Sequence, residues 1–100
     1  MAFTRDPEYD SLPLSQREMR ETFLNTILNG KKYIKMTKEK IMAYQYTGKD
    51  FQYITPLRKE ATCWQNGWLA TPFPIEKEPE IYSIENKDFD ETYIEDIDID

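Results

Sequence analysis

The sequence is poor in the residues on which most enzyme and metal sites depend. It has no histidine, one cysteine (Cys63) and three glycines that stand apart from one another. Without histidine the chain lacks the usual general base near neutral pH and the usual partner of a nucleophilic cysteine. A Cys/His zinc site, an internal disulfide and a glycine-rich phosphate loop are also excluded. We therefore predict a protein that is not an enzyme and holds no metal or cofactor.

Long apolar segments are missing as well. No stretch approaches the ~18 consecutive apolar residues of a transmembrane helix. The N-terminus lacks the basic-then-apolar order of a signal peptide. Together with the single cysteine, this composition is typical of a reducing compartment. We expect a cytoplasmic protein that does not contact a membrane.

Charge is abundant but unevenly distributed along the chain. Residues 31–59 contain eight lysines or arginines and two acidic residues, whereas residues 85–100 contain one lysine and eight acidic residues. The net charge of -6 argues against direct binding to nucleic acid, because phosphates would repel the protein. Either the basic middle and the acidic end compensate each other, within the domain or across two copies, or the end is an interaction arm that imitates phosphates.

The N-terminal half predicts a helix followed by strands. Ser15 and Glu18 have the spacing of a capping box, apolar residues from Met19 to Leu28 then recur at helical spacing, and Asn29-Gly30 is typical of a left-handed helix end. From Gly30 onward the apolar period is two. Ile41, Ala43 and Gln45 share one face of the second predicted strand, and Met42, Tyr44 and Tyr46 share the other.

The C-terminal half predicts further strands and a last helix. Strands are expected at residues 51–55, 61–65, 68–71 and 80–84, and Asn66-Gly67 favours a type I′ hairpin that pairs Cys63 with Ala70. Asn86 is expected to cap a short helix that contains Phe89.

These elements define the expected architecture. The fold class is α+β, with an N-terminal helix packed on a small, bent antiparallel sheet of about five strands, then a short C-terminal helix and an acidic tail. An irregular arm is expected over residues 1–14, a single domain over residues 15–94 and the tail over residues 95–100.

Three segments between residues 33 and 93 carry a pattern. They are Tyr33-Ile34-Lys35-Met36 with residues 41–48, Gly67-Trp68-Leu69, and Tyr82-Ser83-Ile84 with Phe89 through Thr92-Tyr93. This plan resembles small phage and prophage proteins that share a Pro-Gly-Asp-Tyr-Gly motif, although here no proline precedes Gly67 and no aspartate follows it. The resemblance implies a small β-rich domain of phage origin and brings no assigned activity.

The small size, the missing catalytic residues and the acidic end predict an interaction protein. We expect a phage-encoded, non-enzymatic protein that binds and inhibits a host defence or nucleic-acid-handling protein, and a basic nucleic-acid-binding groove on that protein would suit the acidic end. The expected contacts are the tryptophans beside the turn and the acidic residues of the tail: Trp64, Trp68, Glu95, Asp96, Asp98 and Asp100.

Two other functions fit the same residues. In the first, the chain is a nucleotide-binding module in which Trp68 and Tyr44 stack on a base and Lys35 or Lys40 contacts the phosphate. In the second, the chain is a virion or accessory subunit whose basic middle meets the acidic end of a neighbouring copy. Cys63 lies in the middle of a predicted strand, where a buried, unreactive thiol is expected.

Overall fold

The first helix, α1 (Gln16–Leu28), begins where the capping box was predicted. In the computed structural model, which describes residues 12–97, the Glu18 amide donates to Ser15 Oγ (3.1 Å) and the Ser15 amide donates to Glu18 Oε1 (2.9 Å). Met19 and Ile27 are fully buried on the face that the apolar spacing marks. The local sequence therefore sets both the start and the buried side of α1.

The end of α1 differs from the prediction. Asn29 has right-handed angles (φ -89, ψ 0), and none of the three glycines has a positive φ. Gly30 is needed for another reason: a Cβ there would overlap the carbonyl oxygen of Ala43. The glycine thus permits the chain to leave α1 in close contact with the sheet.

Residues 12–97 contain seven strands and a second helix after α1. Their bounds are β1 (Lys31–Lys35), β2 (Lys40–Gln45), β3 (Phe51–Ile54), β4 (Glu60–Cys63), β5 (Trp68–Phe73), β6 (Tyr82–Ile84), α2 (Asn86–Thr92) and β7 (Tyr93–Glu95). Five strands form one antiparallel sheet in the order β6-β5-β2-β1-β7, and β3 and β4 form a separate hairpin. The predicted α+β class and the five-stranded sheet are confirmed. Neither helix is long and apolar enough to cross a membrane.

The two faces of the large sheet are covered by different helices. Met42 and Tyr44 of β2 pack in the cluster that contains buried residues of α1. Ile41 and Ala43 pack in the cluster around Phe89 of α2. The predicted alternation along β2 is therefore confirmed, and both of its faces are apolar because both are covered.

The predicted hairpin at Asn66-Gly67 is wrong. A turn is present, since the Gly67 amide donates to the Trp64 carbonyl (2.9 Å) and Asn66 has φ 70, but Gly67 does not have the positive φ of a type I′ turn. β4 pairs with β3, whereas β5 pairs with β2 and β6. The turn joins two sheets because β5, with three fully buried residues, gains more burial between two strands of the large sheet than beside β4.

Both predicted domain boundaries need correction. Leu14, assigned to the arm, donates to the Gln52 carbonyl (3.0 Å) and accepts from the Ile54 amide (2.7 Å). At the other end Glu95 belongs to β7, and the Asp96 amide donates to the Lys32 carbonyl (2.8 Å). The folded domain therefore begins before residue 15 and extends past residue 94. Residues 1–11 of the arm and 98–100 of the tail lie outside the described residues.

Candidate functional site

Trp68, predicted as a partner contact, is partly buried and packs against the core cluster on the α2 side of the sheet. Its ring stacks on Phe89 with centroids 3.8 Å apart and planes at 4°, and Tyr33 meets it edge-on at 5.4 Å. The indole Nε1 donates to Asn86 Oδ1 (2.9 Å). Asn86 therefore holds the tryptophan and does not cap α2, whose N-cap is Glu85 without a side-chain hydrogen bond. Trp68 is occupied by contacts within its own chain.

Trp64 differs from Trp68, because 50% of its surface is exposed. It borders a groove of about 540 Å³ between β4 and β6, whose rim includes the acidic side chains of Glu85 and Asp88. Of the tryptophans beside the turn, only Trp64 thus presents a large apolar surface to solvent.

The acidic end meets the basic middle within the same chain. Asp96 Oδ2 lies 3.0 Å from Lys40 Nζ and 3.8 Å from Lys32 Nζ, and the Asp96 side chain is only 10% exposed. Glu95 Oε1 lies 3.6 Å from Lys31 Nζ on a more exposed part of the surface. These contacts match the alternative in which the basic middle and the acidic end compensate each other within the domain, whereas an interaction arm would require both carboxylates to leave their lysines. Asp98 and Asp100 lie outside the described residues.

The residues proposed for nucleotide binding are only partly brought together. Lys35 and Lys40 line one cleft, but Tyr44 and Trp68 do not border it. Tyr44 packs on the α1 side, where burial raises its pKa to about 12. The predicted set of four residues is therefore divided, because Tyr44 and Trp68 point into the two separate cores.

The cleft beside Lys35 lies on the α2 side, at the end of the sheet that α2 leaves uncovered. Its volume is about 490 Å³, within the roughly 300–1,000 Å³ usual for ligand sites. The walls and floor are formed by the β1–β2 turn, the end of β5, β6 and β7. The lining residues are Lys35, Lys38, Glu39, Lys40, Ile41, Pro72, Phe73, Pro74, Tyr82 and Tyr93.

Two tyrosines from opposite edges of the sheet line this cleft. Tyr82 belongs to β6 and Tyr93 to β7, which in a flat sheet would be four strand spacings, or about 19 Å, apart. The pKa of Tyr82 is raised, first by burial and then by the charge and hydrogen bonding of the Tyr93 phenol. Their interaction requires the sheet to curve toward this face, as expected for a bent sheet. At neutral pH the Tyr82 hydroxyl is protonated and able to donate.

Lys35 is held beside the tyrosines by a carboxylate. Its Nζ lies 2.8 Å from Glu39 Oε2 and 5.7 Å from the Tyr93 ring centroid. The hydrogen bond to Glu39 is the main reason that the pKa of Lys35 is raised, and the same bond lowers the pKa of Glu39. Both side chains are therefore charged near neutral pH, and Lys35 is a permanent cation at the rim.

Lys38 supplies a second cation from the β1–β2 turn. It has φ 69, and its amide donates to the Lys35 carbonyl (2.7 Å), which fixes its backbone in the left-handed region. No carboxylate among residues 12–97 lies within 4 Å of its ammonium group. Lys40, by contrast, also lines the cleft but has its ammonium group beside Asp96.

Of the residues that line the cleft, Lys35 and Lys40 were predicted from the sequence as ligand contacts, whereas Lys38, Tyr82 and Tyr93 were not. The lysine-rich turn signals a basic loop, yet no local pattern brings a residue of β6 next to one of β7. The only signal available was the third segment of the resemblance, in which Tyr82 and Tyr93 both stand. They meet through long-range pairing, with three strands between them in the sheet order.

Cys63 has no access to solvent and cannot meet a substrate in this conformation. It is fully buried, and burial together with the nearby Asp50 carboxylate raises the pKa of its thiol to about 12. The thiolate that a nucleophile requires is therefore not populated at neutral pH. Among residues 12–97 no three histidine, cysteine or acidic side chains are grouped to hold a metal ion.

Comparisons with models of known protein families, with curated proteins and with solved structures found no match. The resemblance to phage proteins therefore stays a prediction. The aromatic residues that carry it, Tyr33, Tyr82, Phe89 and Tyr93, all lie on the α2 side of the sheet.

Proposed function

We propose that this protein binds a small anionic ligand that also has a flat apolar part, as a nucleotide does, in the cleft beside Lys35. The observation that carries the proposal is that Lys35, Lys38, Tyr82 and Tyr93 all line one concave space. Ligand sites of this kind combine apolar walls with a few convergent polar groups.

Each part of the cleft has a separate role in this proposal. Lys38 and Lys35 attract the anionic group, and Tyr82 and Tyr93 contribute aromatic rings and phenol groups to the lining. Ile41 and Pro72 form an apolar floor on which a flat ring can rest. Glu39 adds a negative charge at the rim, so a ligand with one or two charges is favoured over a polyanion.

Titration calorimetry with three compounds tests the proposal. We expect a nucleoside 5′-monophosphate to bind, and the matching nucleoside and inorganic phosphate each to bind more weakly, because each lacks one half of the recognised chemistry. Lys38→Glu should weaken binding by about tenfold or more, since a favourable charge becomes a repulsive one.

Arg58→Glu is the matched control for that variant. Arg58 has φ 64 in the β3–β4 turn and shares both the left-handed backbone and the exposure of Lys38, but it lies outside the cleft. Equal affinity of the two variants, or absence of heat with all three compounds, would contradict the proposal.

A second candidate function is the inhibition of a host protein by a phage-encoded partner. The half-exposed Trp64 beside an acid-rimmed groove supports it, because exposed tryptophans are frequent centres of protein interfaces. Capture of a purified candidate host protein should be lost in Trp64→Ser and kept in Leu57→Ser, since Leu57 is also exposed (81%) but lies in the β3–β4 turn. Equal capture by both variants would remove Trp64 from the interface.

A further inference from the structure

Side-chain hydrogen bonds hold the β6 edge of the large sheet against the β3–β4 hairpin. The Ser83 amide donates to the Tyr53 hydroxyl (2.7 Å), which also lies 2.9 Å from Ser83 Oγ. Ser83 Oγ in turn donates to the Thr62 carbonyl (3.4 Å). The base of the groove between β4 and β6 therefore consists of groups that are fixed by one another, so an incoming side chain meets a surface that is already ordered.

Trp64 supplies the large apolar surface of this groove and keeps half of its area exposed. Its carbonyl accepts a hydrogen bond from the Gly67 amide (2.9 Å), so the turn after β4 fixes the backbone that carries the indole. In contrast to Trp68, no other aromatic ring of residues 12–97 packs against it. The Trp64 ring is therefore able to receive a flat group from another molecule, and tryptophan is the ring that attracts a cation most strongly.

The charged side chains in the lining of the groove are both acidic, Glu85 at the N-cap of α2 and Asp88 in its first turn. Within the described part of the chain, no lysine or arginine lines the groove or comes within 4 Å of either carboxylate. Glu85 also makes no capping hydrogen bond with its side chain. Unlike Glu95 and Asp96, which are paired with lysines of their own domain, these two carboxylates are available to a cation from another molecule.

We propose that the groove between β4 and β6 receives an arginine side chain of a partner protein, an inference that rests on the second candidate function above. The guanidinium stacks on the Trp64 ring and pairs with Glu85 or Asp88. Arginine is favoured over lysine because its planar group offers both a flat face and paired donors for a carboxylate, whereas an ammonium group offers neither. The net charge of -6 adds long-range attraction for a partner with a basic surface.

Chemical-shift mapping on the unmodified chain tests the proposal with two blocked tripeptides of equal charge, acetyl-Ala-Arg-Ala-amide and acetyl-Ala-Lys-Ala-amide. We expect the arginine tripeptide to shift the Trp64 indole and Glu85 amide resonances and to leave the Tyr93 amide, in the cleft beside Lys35, unchanged. Its affinity should exceed that of the lysine tripeptide by about threefold or more. The absence of a shift at Trp64 with millimolar peptide, or equal affinity for the two tripeptides, would overturn the proposal.

Two double variants with the same change of charge test the carboxylates. Glu85→Gln/Asp88→Asn and Glu76→Gln/Glu78→Gln each remove two negative charges from exposed positions, but only the first pair lines the groove. The first double variant should bind the arginine tripeptide about fivefold more weakly than the second. Trp64→Ser should also weaken binding, so the test does not depend on changes in α2 alone. Equal affinity of the two double variants would show that only net charge attracts the tripeptide and would overturn the proposal.

This proposal and the host-protein interface at Trp64 fail in different assays. If Trp64→Ser loses capture of the host protein while the two tripeptides bind equally, the interface stands and arginine as its occupant is refuted. If Trp64→Ser and Leu57→Ser capture that host protein equally while the arginine tripeptide binds selectively, the host protein is refuted and the groove keeps its preference for arginine. Neither result depends on ligand binding in the cleft beside Lys35.

Discussion

Replacement of Asp96 by asparagine isolates the contribution of the ion pairs that attach the C-terminal segment. Asn has nearly the same shape as Asp but cannot pair with Lys32 and Lys40. Because the Asp96 side chain is 10% exposed and lies against the sheet, its loss of charge leaves two lysines that were partly buried around it.

The expected cost follows from the degree of burial. Exposed ion pairs stabilise proteins by about 0–1 kcal/mol, and removal of one partner from a fully buried pair costs about 3–5 kcal/mol. Asp96 is nearly buried, but Lys32 and Lys40 retain 30% and 32% of their side-chain exposure and can recover water. We expect Asp96→Asn to lower the free energy of unfolding by about 1–2 kcal/mol, or the melting temperature by about 4 °C or more.

Glu95→Gln is the matched control, because Glu95 and Lys31 are 44% and 65% exposed and 3.6 Å apart. Urea unfolding of both variants at low and high salt gives the comparison. At low salt, Asp96→Asn should lower the free energy of unfolding by about 1 kcal/mol more than Glu95→Gln does. At 1 M salt the effect of Glu95→Gln should shrink further than that of Asp96→Asn, because salt screens the more exposed Glu95–Lys31 pair more strongly. Equal stability of the two variants would mean that the segment after β7 is not attached to the sheet as described.

Three further variants test other features of the fold. Gly30→Ala should destabilise the domain by about 2 kcal/mol or more, because its Cβ would overlap the Ala43 carbonyl, and an unchanged urea midpoint would refute that close contact. Arg58→Gly should raise the melting temperature slightly, since glycine relieves a left-handed backbone at φ 64, and a decrease would show that the arginine side chain contributes more than the strain. Burial raises the pKa of Tyr82, so the unfolded chain loses its phenolic proton first and stability falls above pH 10. Tyr82→Phe should show a smaller fall in urea midpoint between pH 9 and pH 11, and an identical fall would argue against a buried phenol.

Local signals predicted those parts of the fold that depend on neighbours in sequence. The capping box at Ser15 was confirmed, as was the alternation in β2, because both report contacts within a few residues. The turn at Asn66 was also correctly located. Its partner strands were not, because a turn signal does not state whether the flanking strands pair with each other or with strands elsewhere.

The C-terminal segment was predicted only in part, for a related reason. Compensation of the acidic end by the basic middle was one of two alternatives, but the attachment of residues 95 and 96 to the sheet was not expected. Alternating acidic residues indicate a solvated tail when read alone, but the same carboxylates are stabilised by a lysine-rich strand about sixty residues earlier in the chain. The cleft shows the same difference between local and long-range contacts. Its lysines lie in and beside one turn and were partly predicted, whereas its two tyrosines come together only because the sheet curves, which no local pattern indicates.

The position of β7 at the outer side of β1 has a consequence during synthesis. A ribosome that adds about 5–20 residues per second needs roughly 3–12 s to proceed from Lys35 to Glu95. During this time β1 of the nascent chain has no β7 to pair with. An uncovered strand is prone to pair with other chains, and lysines on it oppose such pairing. We therefore expect Lys31, Lys32 and Lys35 to oppose such pairing until β7 forms, after which Lys31 lies beside Glu95 and Lys32 beside Asp96.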